Sequence, residues 1–402
     1  MKRNIWFKRF VVSSLLLPIS YFIFLGILYW KWLVPHYEIP KGHYNFGESI
    51  HFNKDYQKKS SVIHDYLKIK TKESGLVSIS LSYAIDGILT WSGTSGLSDI
   101  ENMAPSSVSS QYRAGSISKS MTALLTARLV DQNKFDINAN INEYLKDYPR
   151  GDEITSRMLG THTSGIRHYQ YDFFSWPPND MFSATNYQTV AEAIEMFKND
   201  KLLFNPGKQF SYSSYGYNLL SRVIEGSTNE DFLVLMDREV FQPLNLRNTE
   251  ADKKLIDIPN RVKFYTAGDN KYGYAYPVDS SNKWAGGGFL STPTDLVKLG
   301  LSTLSRDFIS RKSKDFLFTP TDISKIGYGF GWLIRERSIN EKKFLTWSHS
   351  GGSMGGTSYL LIIPELGMVI SAQSNVGPYP EGVSGLGDLC EQVAHILLSE
   401  ET

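Results

Sequence analysis

The rhythm of hydrophobic and polar positions changes several times along the 402 residues. Phe10 to Trp30, "FVVSSLLLPISYFIFLGILYW", carries no charge over 21 residues. At about 1.5 Å per helical residue such a run reaches across a hydrocarbon core of about 30 Å. Residues 31 to 54 mix Pro, Gly, His and Tyr without period, as a linker does. From about 55 to 72, Tyr56, Val62, Ile63, Tyr66, Leu67 and Ile69 share one broad helical face. "LVSISLSYAIDGILTWSG" then alternates apolar and small polar residues around Asp86-Gly87, which predicts a hairpin. Between 115 and about 310 the pattern is mostly helical, broken by loops rich in Pro, Gly and Tyr. Strand patterns return at 328 to 337, 343 to 349, 357 to 365 and 367 to 375, and an amphipathic helix over about 383 to 399 closes the chain.

Strands at both ends with a helical block between them predict an α+β fold. Tight reversals such as Pro364-Glu365-Leu366-Gly367 favour antiparallel pairing over parallel crossovers. The expected architecture is one domain over 55 to 400: an antiparallel sheet from 75 to 95 and 328 to 376, flanked by helices, plus a mostly helical subdomain over about 120 to 310. A cleft is expected where the two parts meet.

Charge adds a topology. Lys2, Arg3, Lys8 and Arg9 precede the apolar run with no acid among them, so residues 1 to 9 are expected in the cytoplasm and the domain outside it. Tyr29, Trp30 and Trp32 stand where an interfacial aromatic belt belongs. The run is long for a signal peptide and no A-x-A-like site follows, so 10 to 30 reads as an uncleaved anchor. The whole chain is nearly neutral, at +1, which argues against a nucleic-acid partner. A single cysteine, Cys390, excludes an internal disulfide and a thiolate metal site, and fits a small buried apolar residue.

Candidate chemistry begins with "AGSISKSMTALLTARLV", where Ser116 and Lys119 stand three residues apart as a helical pattern starts. One turn of helix puts both on one face, so Lys119 Nζ can reach Ser116 Oγ. A lysine acts as a base only when burial or nearby cations lower its pKa, and Ile117, Met121, Leu124, Leu125 and Val130 would bury this helix. The pair alone also fits a helix-capping serine beside a surface lysine. Ser280 and Lys283 repeat the spacing without a helical pattern after them and read as a coincidence. Tyr212 lies on a loop before a helix that starts near Tyr215; His349 ends a strand and is followed by Ser350, Gly351 and Gly352. His162 and His168 could serve as bases or pack locally.

The order of three segments, Ser116-Ile117-Ser118-Lys119, Tyr212-Ser213-Ser214 and His349-Ser350-Gly351, resembles the serine β-lactamase and penicillin-binding-protein superfamily, with its S-x-x-K, Y-x-N and K/H-T/S-G motifs. "EITSRMLGTHTSGI", "KWAGGGFLSTPTDLVKLG" and "YGFGWLI" are similar too, and the resemblance spans about 60 to 395. It points to the branch with class C β-lactamases, D-aminopeptidases and esterases. The resemblance implies Ser116 as nucleophile, Lys119 as its base, Tyr212 as proton donor to the leaving group, and His349 stabilising a tyrosinate or a substrate carboxylate. It places the oxyanion donors at the N–H groups of Ser116 and Gly352, with Ser214, Ser350 and Gly351 along the substrate. No metal or cofactor is implied. Ser214 departs from the family's asparagine, which weakens a claim to efficient β-lactam hydrolysis.

The expected function is a membrane-anchored serine hydrolase that cleaves a small peptide, amide or ester through an acyl-serine. A D,D-carboxypeptidase or β-lactamase is the narrower alternative. A silent peptide-binding protein with the same fold is a third, and has no chemical need for all four polar residues.

Overall fold

A computed structural model describes residues 36–146, 148–170, 180–268, 271–377 and 385–399. The expected anchor over 10 to 30 lies outside the described residues. Among the described residues no helix is long and apolar enough to cross a membrane.

Seven strands build the body of the main sheet: β1 (Ser49–His51), β2 (Ser78–Ile85), β3 (Ile88–Asp99), β4 (Leu333–Ile339), β5 (Lys342–Ser353), β6 (Gly356–Ile363) and β7 (Met368–Ser374). Their spatial order is β1-β3-β2-β7-β6-β5-β4, and a two-residue strand, Ala104–Pro105, also pairs with β3. All neighbours run antiparallel. The β2–β3 hairpin turns at Asp86 and Gly87, with φ of 54° and 76°, as the sequence predicts. Gly367 turns β6 into β7 at φ 54°. Two-residue periodicity sorts the faces. Ile79, Leu81, Tyr83 and Ile85 of β2 enter one core, shared with helices α1 (Gln57–Ser74) and α5 (Leu386–Leu398). Cys390 of α5 is buried there, and burial raises its thiol pKa. Ser78, Ser80 and Ser82 face the other way, and their small side chains let a helix lie close. That helix is α4 (Pro293–Leu304), where a Cβ on Gly300 would stand 2.5 Å from Val369. A one-residue slip of β2 would exchange these faces, so the register is fixed by burial.

The second core joins that face of the sheet to the helical subdomain. At its centre lie α2 (Ile117–Asp131) and α3 (Ser214–Thr228). Nearly every residue of α2 is buried, so the helix has no solvent face and no strong amphipathic stripe.

Three expectations need correction. The segment read as a linker over 31 to 54 is, where described, part of the domain: β1 extends the sheet beyond β3, and Tyr37 bridges to Tyr272. Its three strand residues are half-exposed or exposed, so no alternation marked them. The helical block contains short strands, Tyr112–Arg113, Phe289–Ser291 and Glu250–Ala251 in one sheet and Tyr265–Ala267 with Tyr272–Tyr274 in another. The strand predicted from 328 starts at Leu333, because Gly327 and Gly331 take φ of 73° and 83° and break the extended run. That break turns Tyr328 toward the site.

Candidate active site

Ser116 sits at the N-terminus of α2, where the chain arrives from Tyr112–Arg113 through Ala114 and Gly115. Gly115 takes φ 50°, and a Cβ there would lie 2.8 Å from the Gly352 nitrogen. A Cβ on Gly351 would lie 2.1 Å from the Ala114 carbonyl oxygen, whereas one on Gly352 would meet nothing within 4 Å. The glycines therefore let the backbone before Ser116 press against the end of β5. Beyond Ser348 that part of β5 has no β4 partner, so its outer edge is open to this approach. Gly115→Ala should lower stability by about 1–3 kcal/mol through positive φ and overpacking. Gly352→Ala should stay within about 0.5 kcal/mol of the parent. Paired urea denaturation curves check this; equal midpoints for the two variants would refute the close approach.

Ser116 is the N-cap of α2 by position but its side chain makes no capping bond. Lys119 Nζ instead lies 3.0 Å from Ser116 Oγ, 2.8 Å from Ser214 Oγ and 2.5 Å from the Gly286 carbonyl oxygen. Lys119 is fully buried, and burial pushes its pKa well below the usual lysine value. As a neutral amine it has two N–H donors and one lone pair. Gly286 O can only accept, and with Ser214 Oγ it takes the two donors, leaving the lone pair to accept the Ser116 O–H. The geometry thus matches a base poised on a hydroxyl. Ser214, where the motif has asparagine, holds the lysine directly.

The cavity in front of these groups has a volume of about 310 Å³. Ser116, Tyr212, Ser214, His349, Ser350 and Gly352 all line it. Lys119 stands behind Ser116, with Nζ 4.8 Å from the centre of the Tyr212 ring. Gly351, expected along the substrate, does not line the cavity; it packs on Ala114.

His349 does not carry the charge with which the resemblance would have it stabilise a tyrosinate or a carboxylate. It is 3 % exposed, and Nδ1 lies 2.7 Å from the Ser350 carbonyl oxygen, so Nδ1 carries the proton. Nε2, 3.0 Å from the Tyr328 hydroxyl, accepts from it. Burial, and then the charge of Lys119, lower the His349 pKa to about 3. The imidazole is neutral at physiological pH, so a partial positive charge there is not available for an anion. NMR of the His349 ring should show no titration between pH 5 and 9, and a midpoint near 6.5 would overturn the neutral assignment.

His162 and His168 brace the loop that carries Tyr212. Their Nδ1 atoms accept from the backbone N–H groups of Ser213 and Ser214, at 3.1 and 3.3 Å. The His162 ring lies 4.3 Å from that of Tyr212 and 4.6 Å from that of Tyr328. Burial lowers the pKa of His162 well below normal and that of His168 to about 4. Both are packing and orienting groups, though His168 also borders the cavity. Tyr328 and Lys283 are site residues that the sequence reading missed. The glycines flanking Tyr328 were the available signal for the first. For Lys283 it was the repeated S-x-x-K, which reads as a coincidence because no helical pattern follows; a one-turn helix, Trp284–Gly287, does follow.

The fold and motifs have known counterparts. The mitochondrial serine β-lactamase-like protein of Mus musculus is 26 % identical over 427 aligned positions, covering 82 % of this chain and 75 % of its own. Penicillin-binding protein 4* of Bacillus subtilis is 26 % identical, covering 66 % and 61 %. D-amino acid amidase from Ochrobactrum anthropi superposes with a TM-score of 0.73 at 20 % identity, over 84 % of this chain and 98 % of that one, which shows a shared fold. The family model described as Beta-lactamase matches residues 62–389, a span that contains Ser116, Lys119, Tyr212 and His349, and the chain belongs to that family.

Proposed function

We propose that this protein is a serine hydrolase that cleaves a small peptide, amide or ester through an acyl-serine. The observation that carries the reading is the buried Lys119 amine in contact with Ser116 Oγ at the floor of an open cavity. In the first half-reaction Ser116 Oγ attacks the carbonyl carbon while its proton passes to Lys119 Nζ. The N–H groups of Ser116 and Gly352 face the developing oxyanion, preorganised donors that need no rearrangement. The bond to the leaving group breaks, and that group takes a proton relayed by Lys119 and Tyr212. Water then attacks the acyl ester with the same groups as base, returning Ser116. Neutral His349, tied to Tyr328, keeps Tyr212 and the strand edge in place rather than supplying charge.

The four polar residues and the filled hydrogen-bond set of Lys119 favour catalysis over silent binding. The D-amino acid amidase likeness makes D-configured amides reasonable members of the substrate set. Anchoring through residues 10 to 30, with the domain outside the cytoplasm, is part of the proposal and rests on the sequence pattern alone. The test is mass spectrometry of the protein after exposure to D-amino acid amides, β-lactams and short 4-nitrophenyl esters. An acyl adduct mapped to Ser116 is expected; turnover without any Ser116 adduct, or an adduct on another residue, would refute the mechanism.

A further inference from the structure

The neutral state of His349 leaves the strand edge without a cation for an anionic substrate group. A different cation borders the same cavity. Lys283 is 6 % exposed and lines the space with Ser116, Ser214 and Gly287. Its carbonyl accepts from the N–H groups of Gly286 and Gly287 at 3.1 and 2.8 Å. Gly286 in turn holds Lys119 through its own carbonyl, so one helical turn ties the two lysines together.

Lys283 Nζ makes no hydrogen bond or ion pair with a described residue. The charged groups near it are Arg113, Asp252 and Asp279. Asp252 is already engaged, with Arg113 at 2.7 Å and Arg261 at 3.3 Å. Asp279 accepts from the Ser281 N–H at 2.8 Å and from the Asn186 amide at 3.1 Å. Three cations thus face two carboxylates, and the surplus charge belongs to the lysine at the cavity wall. A buried cation without a partner is costly unless a ligand pairs with it. Burial also lowers the Lys283 pKa to about 8, so a neighbouring anion would restore its charge.

Building on the hydrolase reading, we propose that Lys283 is the substrate-binding cation of this site and selects substrates that carry a carboxylate beside the bond Ser116 attacks. One surplus positive charge matches one carboxylate. The contact lies on the stretch of cavity wall that leads into the Trp284–Gly287 turn.

The probes are 4-nitrophenyl hydrogen glutarate, which carries the carboxylate, and 4-nitrophenyl pentanoate, which does not. The full-length protein should favour the first, and the ratio of the two kcat/KM values should fall about 10- to 100-fold in Lys283→Met, the range for a hydrogen bond to a charged group. Lys283→Arg should retain most of the ratio and Lys283→Glu should invert it. A ratio unchanged within twofold in a folded Lys283→Met protein would overturn the proposal. If these variants do not fold, the wild-type ratio decides: it should decline as pH rises through about 8, because the ammonium is lost there, and a constant ratio from pH 6 to 9.5 would overturn the proposal. His168 and His349 are neutral across this range, and the profile of the pentanoate ester alone locates the Lys119 titration, from which the decline in the ratio must be separate. Cleavage of neither ester would sink the hydrolase reading instead. Saturation-transfer NMR of glutarate against pentanamide on Ser116→Ala protein then tests the subsite: selective glutarate contact supports it, and equal or absent contact refutes it.

Discussion

Replacing Ser116 with alanine should abolish covalent labelling by a fluorophosphonate and lower kcat/KM by about 10⁴-fold or more, the scale on which acyl-transfer nucleophiles act. The expectation follows from position as much as from chemistry. Ser116 is partly exposed at the cavity floor while Lys119, one turn on, is fully sealed behind it. Because Ser116 makes no capping bond, the alanine variant loses a single contact to Lys119. Its unfolding free energy should therefore stay within about 1 kcal/mol of the parent. A capping serine would cost a similar stability, about 1 kcal/mol, but leave labelling intact. Labelling is therefore the measurement that separates the two roles, and persistent labelling would remove Ser116 from the mechanism.

Lys119→Met should slow acylation by about 10²- to 10⁴-fold, the usual contribution of a positioned general base. Lys119→Arg should be as slow, since a guanidinium keeps its proton and offers no lone pair. A fast arginine variant would mean that Lys119 works by charge alone. In the parent, the active form is the neutral amine, so acylation should rise with pH through the depressed Lys119 pKa and then level off. Stability carries the same signature. The folded-state pKa lies below the unfolded value, so between the two the unfolded chain holds a proton that the folded chain lacks, and stability increases with pH in that window. The increase has a ceiling of about 1.4 kcal/mol per pH unit for one group. Lys283 adds a slope of the same sign above about pH 8. The difference in slope between the parent and Lys119→Met, from urea curves at several pH values, isolates Lys119; parallel slopes would contradict its burial as an amine.

Local pattern carried much of this fold. The β2–β3 hairpin was readable because alternation and Asp86-Gly87 agree, and β6 and β7 because each buries apolar residues along its length. Where a strand buries little, as in Ser49–His51, or where glycines interrupt it, as at Tyr328 to Trp332, pattern and structure part company. The motif residues Ser116, Lys119, Tyr212, Ser214 and His349 were legible for a different reason: three short segments stand in the order of the S-x-x-K, Y-x-N and K/H-T/S-G motifs of the family that the chain resembles.

By itself, then, the sequence determined the α+β class, the Asp86-Gly87 hairpin and the spacing of the serine–lysine pair, because each is written in local pattern within a turn or a hairpin. Tertiary structure alone decided the charge states and the second lysine. His349 is neutral because Tyr328, Ser350 and the surrounding burial close around it, and Ser214, at the position of the motif's asparagine, holds a lysine 95 residues away. Lys283 became a site residue when the Trp284–Gly287 turn was set against α2, with both nearby carboxylates already committed elsewhere. Desolvation and long-range pairing set those properties, and neither is written in the spacing of residues along the chain.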